Sequence, residues 1–550
     1  MGYITAEHFT YRYPEQEKPA LSDITFSLDR GEILLLLGKS GSGKSTLGKA
    51  ITGSVPYFYG GRASGKICID GVQIDEMEHN RRSQTIGMVF QYPEKQLILN
   101  KVHREIAFGL ENTGVSENTI RRRVFEAMQF TGITHLAERD IDSLSGGQKQ
   151  KVAIASALAF FPECIVLDEP VSQLDPLAAE EVLNLIHKIN EELNITVILI
   201  EQRTGKCFEL ADKVAFIKDG ALDFFGNTDD FLGSDKEYYE PFFPESVRLF
   251  RKLNIKHPPL GLKKARTLLS SFRKNDFCKP NKSVLESKTK REPILVLNKI
   301  SCGYGNQTVL DQFTAYINYG DCISLLGANG AGKSTLLKTL VGLKRYRGSI
   351  LLKGTELNKY RQKEIAQTIG YVSQNPDDYL TQDTVRDELL FTARHLEIDD
   401  PEDAVDGILD LLKLSELSAR NPRDLSGGQK QRVAIGSALA ASPEILILDE
   451  PTRGIDVPLK QELAAFLKRL NQRGITILLV THDTEFACML SNRFWILYQG
   501  ELLANGSREE VFSNGLYYTT TIHKLCQNDN LELYTLDDAL QFYSGKAAST

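Results

Sequence analysis

The sequence predicts an α/β protein whose architecture is built twice along one chain, and three recurring segments carry that prediction. A glycine-rich loop follows a strand-sized apolar run and precedes a helix-compatible run at Gly38–Thr46 (GKSGSGKST), after Ile33–Leu37, and again at Gly327–Thr335 (GANGAGKST), after Ile323–Leu326. The heptapeptide LSGGQKQ begins at Leu144 and again at Leu425. An apolar run ends in Asp-Glu at Cys164–Glu169 and again at Ile445–Glu450. Leu144 and Asp168 are 24 residues apart, as are Leu425 and Asp449, and Lys44 and Lys333 are 289 apart. Common order at a common spacing defines a tandem repeat.

The first copy spans 1–230 and the second 294–515. Between them, 231–293 reads as a basic linker with a small helical accessory segment. Residues 261–292 hold ten Lys/Arg (Lys263, Lys264, Arg266, Arg273, Lys274, Lys279, Lys282, Lys288, Lys290, Arg291) against Asp276, Glu286 and Glu292. Such a run is a solvated linker or a surface facing an anionic partner. An accessory tail fills 516–550, where Thr521–Leu525 with Ala539-Leu540 echoes Ser246–Leu249 with Ala265 and Leu268-Leu269.

Composition narrows the function. Net charge is −7 and mean hydropathy −0.23 across 550 residues, which is ordinary globular composition and argues against a generally basic nucleic-acid binder. No apolar run approaches the roughly 18 residues a membrane helix needs, so the chain is expected to meet a membrane only through a partner. No secretory pattern opens the sequence. Eight cysteines are scattered without a CxxC pair, which argues against a metal cluster and for reduced thiols.

Each element carries a chemistry. Glycines at 38, 41 and 43 let the loop curl so that its N–H groups converge on phosphate oxygens, with Ser40 and Thr46 beside them. Lys44 reaches the β- and γ-phosphates, and the Ser45 hydroxyl suits Mg²⁺. Gly327, Asn329, Gly330, Gly332, Lys333, Ser334 and Thr335 repeat the set. Two adjacent carboxylates at a buried strand end need a metal or a partner. Asp168 and Asp449 are therefore assigned to Mg²⁺, and Glu169 and Glu450 to polarising the attacking water. Ser145, Gly146, Gly147 and Gln148, like Ser426, Gly427, Gly428 and Gln429, open a helix, which is an anion-binding end.

With these segments the chain resembles a pair of ATP-binding cassette (ABC) ATPases, and the resemblance covers both copies. It implies two tandem P-loop domains, each with a RecA-like core, an antiparallel β subdomain and a helical signature subdomain. It implies two ATPs with Mg²⁺, sandwiched head to tail between the loop of one cassette and the signature of the other. Tyr13 and Tyr304 match the aromatic that stacks on adenine. Gln91 and Gln374 match the glutamine that touches Mg²⁺ and the attacking water, and Asp175 and Asp456 match the aspartate that crosses the dimer. His482 matches the switch histidine, but the first copy reads Glu201-Gln202-Arg203, so Gln202 replaces it. A glutamine amide can donate a hydrogen bond but cannot become cationic. The first site would combine Lys44, Asp168, Glu169 and Gln202 with the Ser426 signature. The second would combine Lys333, Asp449, Glu450 and His482 with the Ser145 signature and hydrolyse faster.

Gln374-Asn375-Pro376-Asp377-Asp378 and Glu105-Ile106-Ala107-Phe108-Gly109 look like the ATPases of energy-coupling-factor importers, although Gln91-Tyr92-Pro93-Glu94-Lys95 departs from that pattern. That resemblance implies work at the cytoplasmic face of the cell membrane. The partners would be a transmembrane coupling protein and a small substrate-binding membrane protein, and the cargo a vitamin or metal ion, with no nucleic acid. A soluble tandem ATPase acting on the ribosome or nucleic acid is the alternative. Relatives of that kind usually carry Thr-Asn-His-Leu-Asp where this chain has Ser172-Gln173-Leu174-Asp175 and Arg453-Gly454-Ile455-Asp456. Fused sugar-importer ATPases usually have a degenerate second loop, and here Gly327–Ser334 is intact.

Overall fold

The computed structural model describes residues 2–14, 16–202, 205–255, 258–271, 292–305, 307–378, 380–513, 515–527 and 531–544. The basic run from Arg273 to Arg291, and Arg203 beside Gln202, lie outside the described residues. The chain forms two compact units, Met1–Val247 with Lys256–Gly261, and Arg248–Ile255 with Leu262–Thr550.

In the first unit, β1 (Ile4–Arg12), β2 (Leu21–Leu28), β4 (Arg62–Ile69) and β5 (Val72–Gln73) make a sheet of order β2-β1-β4-β5 with antiparallel pairing. β2 alternates buried and exposed residues, as a strand with one covered face must. A six-stranded sheet takes β3 (Ile33–Leu37), β6 (Ile86–Val89), β7 (Cys164–Asp168), β8 (Thr196–Ile200), β9 (Lys213–Lys218) and β10 (Ala221–Asn227) in the order β10-β9-β3-β8-β7-β6. All five residues of β3, of β7 and of β8 are buried, which explains their unbroken apolar runs: parallel strands here are covered on both faces. Helices Val102–Asn112, Glu117–Thr131 and Gly146–Leu158 share a separate cluster around Val102, Ile106, Leu110, Val124, Met128 and Val152.

The second unit repeats the plan. β11 (Pro293–Tyr304), β12 (Gln307–Asn318), β14 (Arg347–Leu352) and β15 (Thr355–Glu356) form the order β12-β11-β14-β15. β13 (Cys322–Leu326), β16 (Ile369–Val372), β17 (Ile445–Asp449), β18 (Thr476–Val480), β19 (Arg493–Tyr498) and β20 (Glu501–Gly506) form β16-β17-β18-β13-β19-β20. The α/β core, antiparallel sheet and helical part expected from the sequence are therefore present in both copies. Trp495 is fully buried beside Phe313.

The two echoing tails do not stand apart. Leu249, Phe250, Ala265 and Leu269 pack in one apolar cluster with Ile522, Leu525, Leu536 and Ala539, all within the second unit. The Arg266 Nε–H donates to the Lys524 carbonyl at 2.8 Å.

Candidate functional site

The loop after β3 turns through three glycines with positive φ: Gly38 (148°), Gly41 (79°) and Gly43 (107°). A Cβ at Gly38 would lie 2.3 Å from the Ile217 carbonyl oxygen, and one at Gly43 2.6 Å from that of Ala20. Backbone conformation and space both demand glycine there. The helix begins at Lys44, inside the glycine-rich segment itself, and runs to Ile51. Lys44 Nζ folds back over the loop and donates to the Gly38 and Lys39 carbonyls, each at 2.8 Å. Lys333 does the same to Gly327 at 2.7 Å and Ala328 at 3.0 Å. A Cβ at Gly41 or Gly330 would meet nothing within 4 Å, so glycine is favoured there by the left-handed backbone, φ 79° and 81°, and not by lack of space. The Ser42 hydroxyl is buried without a hydrogen-bond partner among the described residues. Ser40 is half-buried and Asn329 exposed; Thr46 and Thr335 are buried at the helix starts.

β7 and β17 carry the acids to these helices. Ser45 Oγ donates to Asp168 Oδ1 at 3.1 Å. Burial raises the Asp168 carboxyl and lifts that of Asp449 to about 6, against the hydrogen bonds from Ser45 and Ser334 that favour the charged forms. A hydroxyl and a buried carboxylate are hard oxygen donors that suit Mg²⁺, which usually takes one or two protein oxygens and completes its shell with phosphate and water. Ser45 with Asp168, and Ser334 with Asp449, would hold the ion.

Glu169 and Glu450 both have left-handed backbones, φ 47° and 52°, costing about 1–3 kcal/mol each for a non-glycine residue. Each is anchored by its N–H to the neighbouring strand, at Ile200 O (2.8 Å) and Val480 O (2.9 Å). Here the copies diverge. Gln91 Nε2 donates to Glu169 Oε2 at 2.6 Å, and Gln202 Nε2 donates to Glu169 Oε1. Burial, then the Glu201 and Asp168 carboxylates, push the Glu169 carboxyl well above the ordinary range. In the second copy His482 Nδ1 lies 2.7 Å from Glu450 Oε2, both buried. Gln374 is exposed and does not bond Glu450 among the described residues.

The signature serines are helix N-caps. Ser145 Oγ accepts from Gln148 N (3.3 Å) and Gln148 Oε1 accepts from Ser145 N (3.0 Å); Ser426 and Gln429 repeat the box at 3.4 and 3.0 Å. Gly146 and Gly427 follow as first helical residues. A Cβ at Gly147 would lie 2.9 Å from Ala178 Cβ, and one at Gly428 1.9 Å from Leu459 Cδ2. Asp175 and Asp456 cap the packed helices Pro176–Leu193 and Val457–Gln472, accepting from Ala178 N (2.9 Å) and Leu459 N (3.0 Å). Tyr13 is half-buried, with its hydroxyl 3.2 Å from Thr46 Oγ1. Tyr304 is 51% exposed, with Lys344 Nζ 3.4 Å from its ring centroid.

Sequence reasoning overlooked Glu201. It is buried directly behind Glu169 and bonded to main-chain N–H groups. The signal was present: a carboxylate immediately after the buried strand β8, where the second copy has Thr481.

The ABC transporter family model matches residues 21–172 and 310–453, the stretches that contain both loops, both signatures and both acid pairs. The chain belongs to the ABC transporter family. A protein of Bacillus thuringiensis subsp. konkukian (strain 97-27), provisionally named an ABC transporter ATP-binding protein, is 36% identical over 98% of this chain and 98% of its own. A solved cbiO1 from Clostridium perfringens, part of the ABC transporter complex cbiONQ, is 31% identical, covering 49% of this chain and 99% of its own at a TM-score of 0.40. An archaeal ribosome recycling factor, solved with the stalk protein aP1, is 22% identical, covering 92% of this chain and 91% of its own at a TM-score of 0.58. That likeness concerns the tandem fold. As an ABC protein with two cassettes, the chain is an ATPase that binds ATP with Mg²⁺.

Proposed function

We propose that this chain is the complete ATP-driven motor of an importer of the energy-coupling-factor kind, working at the cytoplasmic face of the membrane. Its partners are a transmembrane coupling protein and a small substrate-binding membrane protein, and its cargo is a vitamin or metal ion. The observation that carries the reading is the doubled machinery. Two intact phosphate loops, each with a Ser–Asp pair and a buried glutamate, occur in a chain with no helix among the described residues long and apolar enough to cross a membrane. The Asn375-Pro376-Asp377 stretch supports the importer class, and short helical turns follow both glutamines, at Pro93–Gln96 and Pro376–Asp378. The provisional naming of the Bacillus relative supports transport.

In this reading the two cassettes pair within the chain. Lys44 and Lys333 exchange their loop carbonyls for phosphate oxygens, and the serine signature of each copy closes over the other's ATP. Bound Mg²⁺ supplies charge neutralisation at the β- and γ-phosphates. Glu450, set by the His482 imidazole, orients the attacking water. Glu169 is held by two amides, and neither can become cationic. The His482 site therefore carries most of the turnover. Loss of γ-phosphate loosens the pair, and the segments around Gln91 and Gln374 pass the movement to the membrane partner.

The test has two arms. The tagged chain is purified from detergent-solubilised membranes and its companions identified by mass spectrometry. One coupling protein with one small membrane protein is the expected result; recovery with ribosomes or nucleic acid overturns the transport reading. Separately, Glu450→Gln is expected to lower turnover more than Glu169→Gln, and equal losses overturn the asymmetry.

A further inference from the structure

The two copies differ behind their paired acids, and the difference is concentrated in one side chain. Building on the reading that the first copy hydrolyses ATP, we propose that Glu201 is a positioning residue. Its carboxylate fastens the segment after Glu169 to the segment after β8, and so holds the Gln202 amide on Glu169.

Glu201 is 1% exposed. Its Oε1 accepts from Val171 N at 2.9 Å and its Oε2 from Gln202 N at 3.1 Å. Val171 lies two residues past Glu169, and Gln202 is the residue whose Nε2 donates to Glu169 Oε1. A closed ring of contacts therefore runs from Glu169 along the backbone to Val171, through the Glu201 carboxylate to Gln202, and back to Glu169. Parallel pairing of β7 with β8 sets Asp168 opposite Ile200, which brings the two segments side by side. A buried carboxylate is unfavourable unless its oxygens are engaged, and both are engaged here by main-chain donors in charge-assisted bonds.

The second copy has no carboxylate at that position. Thr481 stands where Glu201 does, and its hydroxyl accepts from Asp483 N at 3.1 Å, within its own segment. The requirement for a brace follows from the side chain it serves. Histidine has two side-chain torsions and a rigid ring, whereas glutamine has three torsions and more freedom to lose. Replacing the switch histidine by glutamine leaves a floppier arm, and Glu201 fixes the backbone from which that arm reaches.

The experiment measures Mg²⁺-ATP turnover of the full chain in a Glu450→Gln background, where the first copy's acid carries the remaining activity. Glu201→Ala is expected to lower kcat about tenfold while KM for ATP stays within about twofold, because the brace sets geometry at the reacting end and not in the phosphate loop. Glu201→Gln keeps one acceptor oxygen and is expected to fall between. Adding Gln202→His to Glu201→Ala is expected to recover most of the loss, since the imidazole serves without a carboxylate at that position in the second copy. An unchanged kcat in Glu201→Ala overturns the proposal. So does a fall in kcat matched by a rise in KM and a lower melting temperature that neither Glu201→Gln nor the added histidine relieves, which marks a merely structural residue. If Glu169→Gln in the same background leaves turnover unchanged, the reading of the first copy as hydrolytic fails instead, and that result is distinguishable from failure of the brace alone.

Discussion

The loop glycine before each P-loop lysine provides a matched pair for separating two costs. Gly43 and Gly332 have nearly the same backbone, φ 107° and 105°, so alanine incurs the same left-handed penalty at both, about 1–2 kcal/mol. The surroundings differ. At Gly43 the new methyl would sit 2.6 Å from the Ala20 carbonyl oxygen, which is fixed in the backbone. At Gly332 the nearest atom is the Leu310 Cδ2 methyl at 3.0 Å, which can rotate away, and the fixed Val309 carbonyl oxygen stands further off, at 3.2 Å. Overpacking against an immovable group adds about 1–3 kcal/mol. Gly43→Ala should therefore cost about 2–5 kcal/mol in total and Gly332→Ala little more than the shared term. For units of this size each kcal/mol moves the melting temperature by about 2–4 °C. The chain supplies its own reporter: its single tryptophan, Trp495, is buried in the second unit. Tryptophan fluorescence should register Gly332→Ala, while circular dichroism registers the larger loss in the first unit for Gly43→Ala. A larger total loss for Gly332→Ala would refute the steric argument. A tryptophan transition shifted equally by both variants would refute the assignment of each cost to its own unit.

Further outcomes are expected. His482→Ala leaves Glu450 without the imidazole 2.7 Å away and should lower turnover about a hundredfold in a steady-state assay, whereas Gln202→Ala lowers it less. Chelating Mg²⁺ should abolish turnover, and Ser334→Ala should raise the Mg²⁺ concentration for half-maximal rate by about tenfold or more. Burial lifts Asp449 from 3.8 to about 6, so the nucleotide-free protein holds an unfavourable charge there at pH 7. At 1.36 kcal/mol per unit, Asp449→Asn should stabilise that state by up to about 3 kcal/mol while removing Mg²⁺-dependent turnover, read by calorimetry and ATPase assay. Burial also holds the His523 imidazole below its ordinary 6.5, stacked on Tyr534 at 4.6 Å. The unfolded chain then binds the proton first, so stability of the second unit should fall as pH drops through 6.5 and level off below the folded value, with His523→Phe flattening that part of the melting profile.

What was legible from sequence is what repeats locally. The strand–loop–helix units, the acid pairs and the glutamine in place of histidine are contiguous motifs, and their backbone demands show in residue choice. Features that depend on pairing were not legible. Glu201 gains meaning only because β7 and β8 run side by side and bring Val171 to it. Gln91 and Gln374 match the same motif, yet among the described residues Gln91 bonds its glutamate and Gln374, exposed, does not. In the first copy Gln96 ties the loop down by accepting from Phe90 N at 2.9 Å and donating to Met88 O at 3.1 Å. The tail helices echo one another in sequence, but their shared cluster joins residues more than 250 positions apart, as Arg266 and Lys524 are.

The missing side chains at Gly147 and Gly428 have a mechanical corollary. Because each glycine lets the signature helix touch the capped helix that begins at Pro176 or Val457, the two helix ends in each copy meet at a single knuckle. Close-packed knuckles of this kind do not stretch; they turn as one piece or jump between discrete seatings. A tug on the Asp175 or Asp456 cap is therefore also a tug on the amides behind Ser145 or Ser426. A wedge as small as one methyl group, placed between them, would uncouple a lever that spans both.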